Sequence, residues 1–437
     1  MEILKGQQLC SCGKHHNGIL DEYVVEKGAI ARTADFVKKY GKKRAFLLAD
    51  ENTFAVAGAQ VVQNLTENGI LYSQFVFPAG VKPDEKAVGS AIMHYDASCD
   101  IVIGIGSGVI NDIGKIVAKT SGNPYIIVAT APSMDGYASG SSSMEVDGLK
   151  SSLNTKCADV VIGDIDILKN APQRMLVSGI GDMLAKYVSI CEWRIGHLVT
   201  GEYYCEEVAS IMRTAARKCT QNAAGLLKRD ETAVAAVFEG LILGGVAMNY
   251  AEVTRPASGV EHYFSHIWDM RALEFGTPSD FHGIQCAIGT RYAIGIYEQL
   301  KKIVPSREKA LTYARSFDWP AHQEALRAFL GKGGESMITI AEKEGKYDLS
   351  KHERRLDHIL AHWAEILDII DEELLTCAEL EEVLDTLGAP KTAAEISIDE
   401  ALVPLTFRMT KDIRDKYVLS RLCWDLGILD DIVCILK

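Results

Sequence analysis

Three histidines and one aspartate have the residue types and spacing of a metal site. His262 and His266 are four residues apart, which puts both imidazoles on one face of a helix, and His282 begins the next helical pattern. Asp182 places a carboxylate inside an apolar helix, where an unpaired charge is costly to bury. One carboxylate and two imidazoles would leave coordination positions open for a substrate, as a catalytic site requires. The set predicts one divalent metal, with zinc favoured and nickel or iron(II) as alternatives; the spacing alone does not choose among the histidines.

A glycine turn indicates a second kind of site. The apolar run Asp100–Ile105 leads into Gly106-Ser107-Gly108, and a helical pattern follows from Val109 to Lys119. Glycine lets the backbone approach a phosphate, and the helix N-terminus offers amide donors and a positive dipole end. The turn therefore predicts a dinucleotide pyrophosphate site, although glycine turns after buried strands are also common without any ligand.

The position of this turn differs from the usual dinucleotide fold. There the glycines follow the first strand, whereas the early turn Ala49–Asn52 contains none. Asp50, at the end of its strand, could accept hydrogen bonds from an adenosine ribose, which would favour NAD over NADP. A helix cap is an equally good interpretation of Asp50.

The elements that must position these residues change in character along the chain. Strand patterns alternate with helical patterns up to residue 166, which predicts a mostly parallel sheet covered by helices on both faces. Long helical patterns follow from Pro172 onward. We therefore expect an α/β nucleotide-binding domain at 1–166 and an all-α domain at 167–437, with Ser133–Ser152 as a binding loop. The predicted strands are Arg44–Ala49, Leu71–Phe77, Asp100–Ile105, Pro124–Ala129 and Val160–Ile165, and the clearest helices are Ala55–Asn68, Asp84–Tyr95, Pro172–His197, Glu202–Leu227, Ala233–Tyr250 and His282–Ile303.

Composition narrows the class of protein. The net charge of -13 disfavours a nucleic-acid or anionic-membrane partner. No run approaches roughly 20 uninterrupted apolar residues, and Met1–Lys14 lacks a signal-peptide core, so a cytoplasmic location is expected. The 11 cysteines predict reduced thiols, because cytosolic proteins rarely keep disulfides. Cys10, Cys12, His15 and His16 are clustered, but their spacing does not match a usual zinc motif, so a structural interpretation is favoured over a second metal site.

Several of these motifs together resemble a known family. The chain resembles the sn-glycerol-1-phosphate dehydrogenases, above all the bacterial branch, within the group that includes iron-type alcohol dehydrogenases, glycerol dehydrogenase and dehydroquinate synthase. The resemblance runs from Cys12-Gly13-Lys14 through Ala49–Thr53 to the spacing of Asp182, His262 and His282. Its most specific part is Thr130–Ser139 followed by Gly181-Asp182. It implies a dehydroquinate synthase-like fold.

The resemblance also implies roles for individual residues. Asp182, His262 and His282 become the metal ligands, and Asp135, Asp182 and His266 become the catalytic and substrate-binding residues. The segment Ser107–Asp112 departs from many relatives, which have three glycines and a lysine before the aspartate, and this leaves the cofactor preference open. The implied cofactor-binding residues, beside Asp50, are Gly106, Ser107, Gly108, Val109, Ile110, Asn111, Asp112, Thr130, Ala131, Pro132, Ser133 and Ser139.

The implied reaction is the NAD(P)H-dependent interconversion of dihydroxyacetone phosphate and sn-glycerol 1-phosphate, a small phosphorylated substrate, by a homo-oligomer, with a dimer expected. Lys156, Lys186 and Arg255 lie near the motifs as weak candidates for binding phosphate. A glycerol or polyol dehydrogenase on the same scaffold is the nearest alternative. A dehydroquinate-synthase-like cyclase is disfavoured because that group has Glu where Asp182 stands, and a non-catalytic nucleotide-binding regulator is disfavoured because the ligands and the glycine loop are present.

Overall fold

The computed structural model describes residues 9–18 and 20–436. The segment Met1–Gln8, where the sequence predicts no signal-peptide core, lies outside them. By compactness the chain forms two units. The first comprises residues 1–183 and 207–253, and the second comprises residues 184–206 and 254–437.

The first unit is built on a six-stranded parallel sheet with the strand order β1-β8-β5-β4-β2-β3. The central strands β4, β5 and β8 are buried along their whole length, because helices cover both faces of a parallel sheet. The strands are β1 (Glu22–Glu26), β2 (Arg44–Asp50), β3 (Leu71–Phe77), β4 (Ile101–Gly106), β5 (Tyr125–Ala129), β6 (Ser141–Val146), β7 (Leu149–Asn154) and β8 (Val160–Asp164).

Helices alternate with these strands and continue after them. The segment Phe54–Gly58, between the second and third helices, is a π-helix. The helices of the first unit, or beginning in it, are α1 (Thr33–Lys39), α2 (Glu51–Thr53), α3 (Ala59–Glu67), α4 (Glu85–Met93), α5 (Gly108–Ser121), α6 (Ile165–Leu168), α7 (Gln173–Thr200), α8 (Glu206–Gln221), α9 (Ala223–Leu227) and α10 (Glu231–Ala251).

The second unit is helical throughout the part that the structure describes. Helices α11 (Val260–Phe275) and α12 (His282–Leu300) carry the three histidines and pack against each other. The helices that follow α10 are α11 (Val260–Phe275), α12 (His282–Leu300), α13 (Arg307–Arg315), α14 (Trp319–Leu330), α15 (Lys332–Glu344), α16 (Leu349–Ala361), α17 (Trp363–Glu373), α18 (Cys377–Leu387), α19 (Val403–Thr410), α20 (Leu419–Asp425) and α21 (Leu429–Ile435).

The predicted fold class, an α/β region followed by helices, is confirmed. All five predicted strands are present, and among the described residues no strand follows Asp164. The division by compactness differs from the change in element type near residue 166, because α8 to α10 belong to the first unit. Helix α10 is the one described helix long and apolar enough to span a bilayer, and 67% of its apolar window is buried inside the structure, as expected for a core helix.

Two local predictions were wrong, and one strand was not predicted. The second half of the predicted Ser133–Ser152 loop is the antiparallel hairpin β6–β7, whose turn residues Asp147 and Gly148 both have positive φ, as a two-residue hairpin turn requires. Strand β1 was missed, because its Tyr23-Val24-Val25 core is short and pairs only at the sheet edge. The predicted helix Glu202–Leu227 is broken at Asn222, between α8 and α9.

Candidate active site

The ends of β2 and β4 lie side by side at the point where the strand order reverses. Ala49 pairs with Ile105, so Asp50 and Gly106 follow at adjacent positions on the carboxyl edge of the sheet. The chain runs from β2 outward to β3, then returns to β4 on the other side of β2. In open α/β sheets such a switch point forms the crevice that binds ligands. The two sequence-predicted cofactor positions are therefore neighbours at the expected place.

The turn after β4 exposes amide groups at the start of α5. The amide of Asn111 donates to Ser107 O at 2.9 Å, which makes Ser107 the residue before the helix. The amides of Gly108, Val109 and Ile110 therefore have no acceptor within the helix, as in the first turn of any helix. A Cβ added at Gly106 would lie 2.6 Å from Cβ of Ile110, so only glycine fits there. The turn can bind a phosphate through backbone donors.

Asp50 caps a helix in this structure. Its Oδ1 accepts the amide of Thr53 at 2.9 Å, and its own amide donates to Thr53 Oγ1 at 3.1 Å. This reciprocal pair begins α2. The capping bond uses Oδ1, so the geometry accounts for one carboxylate oxygen, and a ribose contact through the other stays a prediction.

A buried lysine in α5 fixes the Thr130–Gly140 loop. Lys115 Nζ donates to Gly136 O at 2.6 Å, to Ser139 Oγ at 3.1 Å and to Ser141 O at 3.0 Å, and its side chain has no exposed surface. Asn111 Nδ2 donates to the same Gly136 O at 3.1 Å. Ser139 is thereby held in the loop, 5% exposed. The predicted cofactor residues of α5 and of the loop thus share one hydrogen-bond network, organised by a lysine that the sequence analysis did not single out.

Asp112 is the acidic partner of this lysine. Its Oδ1 lies 3.9 Å from Lys115 Nζ, and its side chain is 18% exposed. Burial raises the pKa of Asp112 to about 6, although the lysine charge partly offsets that effect. Burial likewise lowers the pKa of Lys115. Both shifts indicate a poorly hydrated pair under the glycine turn.

The same loop is fastened to α7 through close backbone contact. A Cβ added at Gly179 would lie 2.0 Å from the carbonyl oxygen of Pro132, so the helix approaches the loop as closely as glycine permits. Ser178 Oγ donates to the carbonyl of Ser133 at 3.0 Å. The amide of Asp135 donates to Asp182 Oδ2 at 2.9 Å, and Asp182 is 1% exposed. The structure therefore brings the two sequence-predicted aspartates together in the first unit.

The loop's remaining predicted residues are also buried. Thr130 donates its amide to Gly106 O at 3.1 Å, which joins the loop to the end of β4. Tyr137 OH donates to Ala131 O at 2.6 Å, and burial raises the pKa of this tyrosine. The loop Thr130–Gly140 is therefore a fixed structure rather than a surface turn.

In the second unit, α11 and α12 bring the three histidines together. The ring centroids of His262 and His282 are 5.1 Å apart, and that of His266 lies 6.5 Å and 6.0 Å from them, respectively. One nitrogen of His262, one of His282 and Cys286 Sγ all lie within 4.8 Å of one another, close enough to share a metal ion. The close packing has a local cause, because a Cβ at Gly289 would lie 2.5 Å from the carbonyl oxygen of Glu261.

Each of two imidazoles is oriented through Nδ1. His262 Nδ1 lies 2.8 Å from Glu261 Oε1, which also accepts the amide of Gly259 at 2.6 Å. His282 Nδ1 lies 2.9 Å from Ser265 Oγ. A carboxylate or hydroxyl on Nδ1 favours Nε2 as the ligand nitrogen, as in most metal-binding histidines. The donor set of His262 and His282 thus fits a divalent metal.

A buried acidic pair supports the histidine helix. Glu192 accepts the amides of Val260 at 2.9 Å and Leu419 at 2.7 Å. Burial, and then the charge of Glu261, raises the pKa of Glu192. The start of α11 is therefore held by carboxylates, which agrees with the positive end of a helix dipole.

The three weak candidates for binding phosphate have structural partners. Arg255 bonds Glu202 through Nε at 2.8 Å and is 3% exposed. Lys186 Nζ donates to Ala257 O at 3.0 Å, and Lys156 Nζ contacts Asp159 Oδ2 at 2.7 Å. These bonds explain the basic residues without a ligand. The described contacts give none of the three a phosphate-binding role.

Sequence reasoning missed the supporting residues Lys115, Glu261, Ser265 and Cys286. Two of them carried a signal. Lys115 lies three residues after Asp112 on the same helix, and Glu261 immediately precedes His262. The other two are small residues that only the packing of α11 on α12 places beside His282.

Comparison with known proteins places this geometry in a family. Residues 24–172 match the family described as iron-containing alcohol dehydrogenase. A protein of Bacillus subtilis strain 168 named NAD(P)+ glycerol-1-phosphate dehydrogenase is 31% identical over 305 residues, which cover 68% of this chain and 77% of that protein. The chain belongs to the glycerol-1-phosphate dehydrogenase family. The resemblance inferred from the motifs is confirmed.

Other members and solved structures extend the match. The glycerol-1-phosphate dehydrogenase of Halalkalibacterium halodurans is 27% identical over 417 residues, 94% of each chain. Glycerol dehydrogenase from Schizosaccharomyces pombe, at 19% identity, has a TM-score of 0.60 over 95% of this chain and 90% of its own. A 1,3-propanediol oxidoreductase, at 14% identity, has a TM-score of 0.63 over 99% of both chains. These structures show that the glycerol-1-phosphate dehydrogenase family member described here has the iron-type alcohol dehydrogenase fold.

Proposed function

We propose that this protein interconverts dihydroxyacetone phosphate and sn-glycerol 1-phosphate with NAD(P)H and a divalent metal. The observation that carries the proposal is the pair His262 and His282, each oriented through Nδ1 so that Nε2 suits a metal. Relatives at 31% and 27% identity are named for this reaction. We further propose Asp182 as the third ligand, because it is a buried carboxylate that a cation would stabilise.

The cofactor fits the first unit by its chemistry. A dinucleotide pyrophosphate would accept hydrogen bonds from the amides of Gly108, Val109 and Ile110, with Gly106 allowing the close approach. The Thr130–Gly140 loop, fixed by Lys115, would position the nicotinamide half through Thr130, Ser133 and Ser139. When bound, the metal supplies a Lewis acid for the C2 carbonyl and the nicotinamide supplies the hydride.

The chain's own residues would then handle orientation and the proton. Asp135 is fixed beside Asp182 by its amide, so its carboxylate can orient a substrate hydroxyl. His266 lies one helical turn after His262 and is half-buried, which suits a group that exchanges a proton with the C2 oxygen. Lys156, Lys186 and Arg255 already bond to groups of the protein, so other groups would bind the substrate phosphate.

The test is a spectrophotometric assay with dihydroxyacetone phosphate and either NADH or NADPH, after loading with zinc, nickel or iron(II). The product's configuration is checked by a chiral method. Oxidation of NAD(P)H with formation of the sn-1 product is expected. Faster turnover of glycerol than of the phosphorylated substrate would instead identify a polyol dehydrogenase, and no turnover with any metal would favour a non-catalytic nucleotide-binding protein.

The metal assignment has its own test. His262→Ala should abolish both activity and one equivalent of bound metal, because a ligand is lost. His358→Ala, on an exposed position of α16, is the matched control and should change neither. Full activity in His262→Ala would rule out this site. We also propose a cytoplasmic homodimer, and light scattering of the purified chain would test the dimer.

A further inference from the structure

A tight turn near the start of the first unit places two thiols and an imidazole together. Ligand atoms of Cys10, Cys12 and His16 all lie within 4.8 Å of one another. The sequence spacing alone disfavours a zinc motif, because the two cysteines are separated by a single residue. In the folded chain the imidazole of His16 lies beside the two thiols, although the sequence spacing does not match a usual zinc motif.

The backbone of the turn is shaped around the Cys10 sulfur. The amide of Cys10 donates to Lys14 O at 2.9 Å, and that of Gly13 donates to Cys10 O at 2.9 Å. Gly13 has φ of +83°, a conformation that favours glycine. The amide of Cys12 points at Cys10 Sγ from 3.5 Å. A backbone donor on sulfur stabilises the thiolate, which is the form that binds metals.

The imidazole is oriented toward the thiols. His16 Nδ1 lies 2.8 Å from the carbonyl oxygen of Tyr250, at the end of α10. A carbonyl oxygen only accepts hydrogen bonds, so Nδ1 carries the proton and Nε2 carries the lone pair. Nε2 lies 3.5 Å from Cys12 Sγ. Fixing the far nitrogen of the ring to a carbonyl is the usual second contact of a metal-binding histidine.

The separation of these atoms matches a tetrahedral ion. Bond lengths of about 2.3 Å to sulfur and about 2.0 Å to nitrogen put two ligands at about 3.5 Å from each other. This value agrees with the distance between Cys12 Sγ and His16 Nε2. Cys10 and His16 are 6% and 5% exposed, so a bound ion would be largely shielded from water.

From this geometry we propose that Cys10, Cys12 and His16 bind a zinc ion, distinct from the metal of His262 and His282. Two thiolates and one imidazole favour zinc over the oxygen-binding cations. Binding releases the two thiol protons to solvent, and no oxidant or reductant is involved. The fourth position is left to water or to a further side chain.

The ion would have a structural role. The turn contacts the end of α10 through the His16–Tyr250 bond and through Lys14 Nζ, which lies 3.4 Å from Ala251 O and 3.4 Å from Oε2 of the exposed Glu252. Exposed ion pairs contribute little to stability. A zinc ion would hold the turn in place and would leave the chemistry of the reaction unchanged.

The experiment uses the full chain carrying His262→Ala and His282→Ala, which removes the predicted catalytic metal. After growth with zinc, this chain should retain about one zinc per protein by elemental analysis. Its cobalt form should show a thiolate-to-cobalt charge-transfer band. Adding Cys12→Ser should remove both signals, whereas adding Cys99→Ser, at a buried cysteine of the same unit, should preserve both.

A second variant protects the test against misfolding. Cys286→Ser keeps all three predicted catalytic ligands and removes the thiol that lies 3.6 Å from His282 Nε2, so a charge-transfer band in its cobalt form would come from another cysteine site. Absence of zinc from the His262→Ala, His282→Ala chain, together with absence of the band in both backgrounds, would overturn the proposal and would mean that Cys12 merely hydrogen-bonds His16. Turnover of dihydroxyacetone phosphate by the unmutated chain would be unaffected by that result, so the two proposals fail independently.

Discussion

Replacing Lys115 with methionine tests whether one buried ammonium holds the Thr130–Gly140 loop. Methionine has a similar length and shape but no donor, so the substitution removes three hydrogen bonds without leaving a large cavity. We expect the loop to loosen, the KM for NAD(P)H to rise at least tenfold, and the free energy of unfolding to fall.

The magnitude follows from what remains after the ammonium is lost. Gly136 O keeps its bond from Asn111 Nδ2, and the hydroxyl of Ser139 can still donate to Ser141 O at 3.2 Å. The lost bonds come from a charged donor, each worth about 1.5–3 kcal/mol. Part of this loss is offset, because the variant no longer buries a charged ammonium group. Burial of that group is unfavourable, as the lowered pKa of Lys115 indicates. We therefore expect a net loss of about 3 kcal/mol.

Equilibrium urea unfolding of the purified chain at pH 7 measures this loss. Lys119→Met, on an exposed position of the same helix, is the matched control and should change the free energy of unfolding by less than about 0.5 kcal/mol. If Lys115→Met is as stable as the control and binds NADH equally well, the lysine does not organise the loop.

Three further changes probe the site. Burial raises the pKa of Asp112 from 3.8 to about 6, so the folded state holds its proton more tightly and loses stability as pH rises from about 4 to about 6. This loss amounts to at most about 3 kcal/mol of unfolding free energy, and Asp112→Asn should lack it. Urea unfolding at pH 4 and pH 7 measures the difference. If the free energy of unfolding changes equally with pH in both chains, Asp112 does not have the raised pKa. Glu261→Gln should weaken the affinity for the catalytic metal about 10–100-fold, measured by competition with a chelator. Glu274→Gln, at an exposed position of the same helix, is the control and should keep the affinity. Equal metal affinities in the two variants would contradict the proposal that Glu261 orients His262. Gly179→Ala should lower kcat/KM for NAD(P)H more than tenfold, because the added methyl group would displace the Thr130–Gly140 loop. Gly89→Ala is the control and should leave kcat/KM unchanged, because its methyl group would meet nothing within 4 Å. Unaltered kinetics in Gly179→Ala would show that the loop tolerates the displacement.

The sequence predicted the sheet well because its central strands are buried on both faces. Strands such as Tyr125–Ala129 are continuous runs of apolar residues, a signal that does not depend on tertiary context. The hairpin Ser141–Asn154 was missed because serine-rich strands read as a loop, even though Asp147-Gly148 is a good hairpin turn. The strand structure of that segment depends on the pairing of β6 with β7 and not on its composition.

The residues of the candidate site also differ in how well the sequence alone predicts them. Asp182 and the cluster of His262, His266 and His282 could be singled out from residue type and position, because buried carboxylates and clustered imidazoles are uncommon. The choice of His262 and His282 over His266 came from the family resemblance and stays a prediction. Lys115 carries a weaker signal, its position three residues after Asp112, because a lysine in a helix is usually solvated and only the fold shows that its amine is enclosed. The turn of Cys10 to His16 is the clearest case, because the spacing argued against a metal and only the folded geometry argues for one.

The shared acceptor Gly136 O has a consequence for motion. Two side chains of helix α5, Asn111 and Lys115, donate to this one carbonyl of the Thr130–Gly140 loop, so the loop cannot open without breaking its bonds to the helix. In native-state hydrogen exchange, the loop amides should therefore exchange through the same cooperative opening as the amides of the helix, although the loop's regular structure is limited to a short 3-10 turn at Gly136–Ala138. The nucleotide end of the sheet would behave as one foldon, preformed before any cofactor arrives.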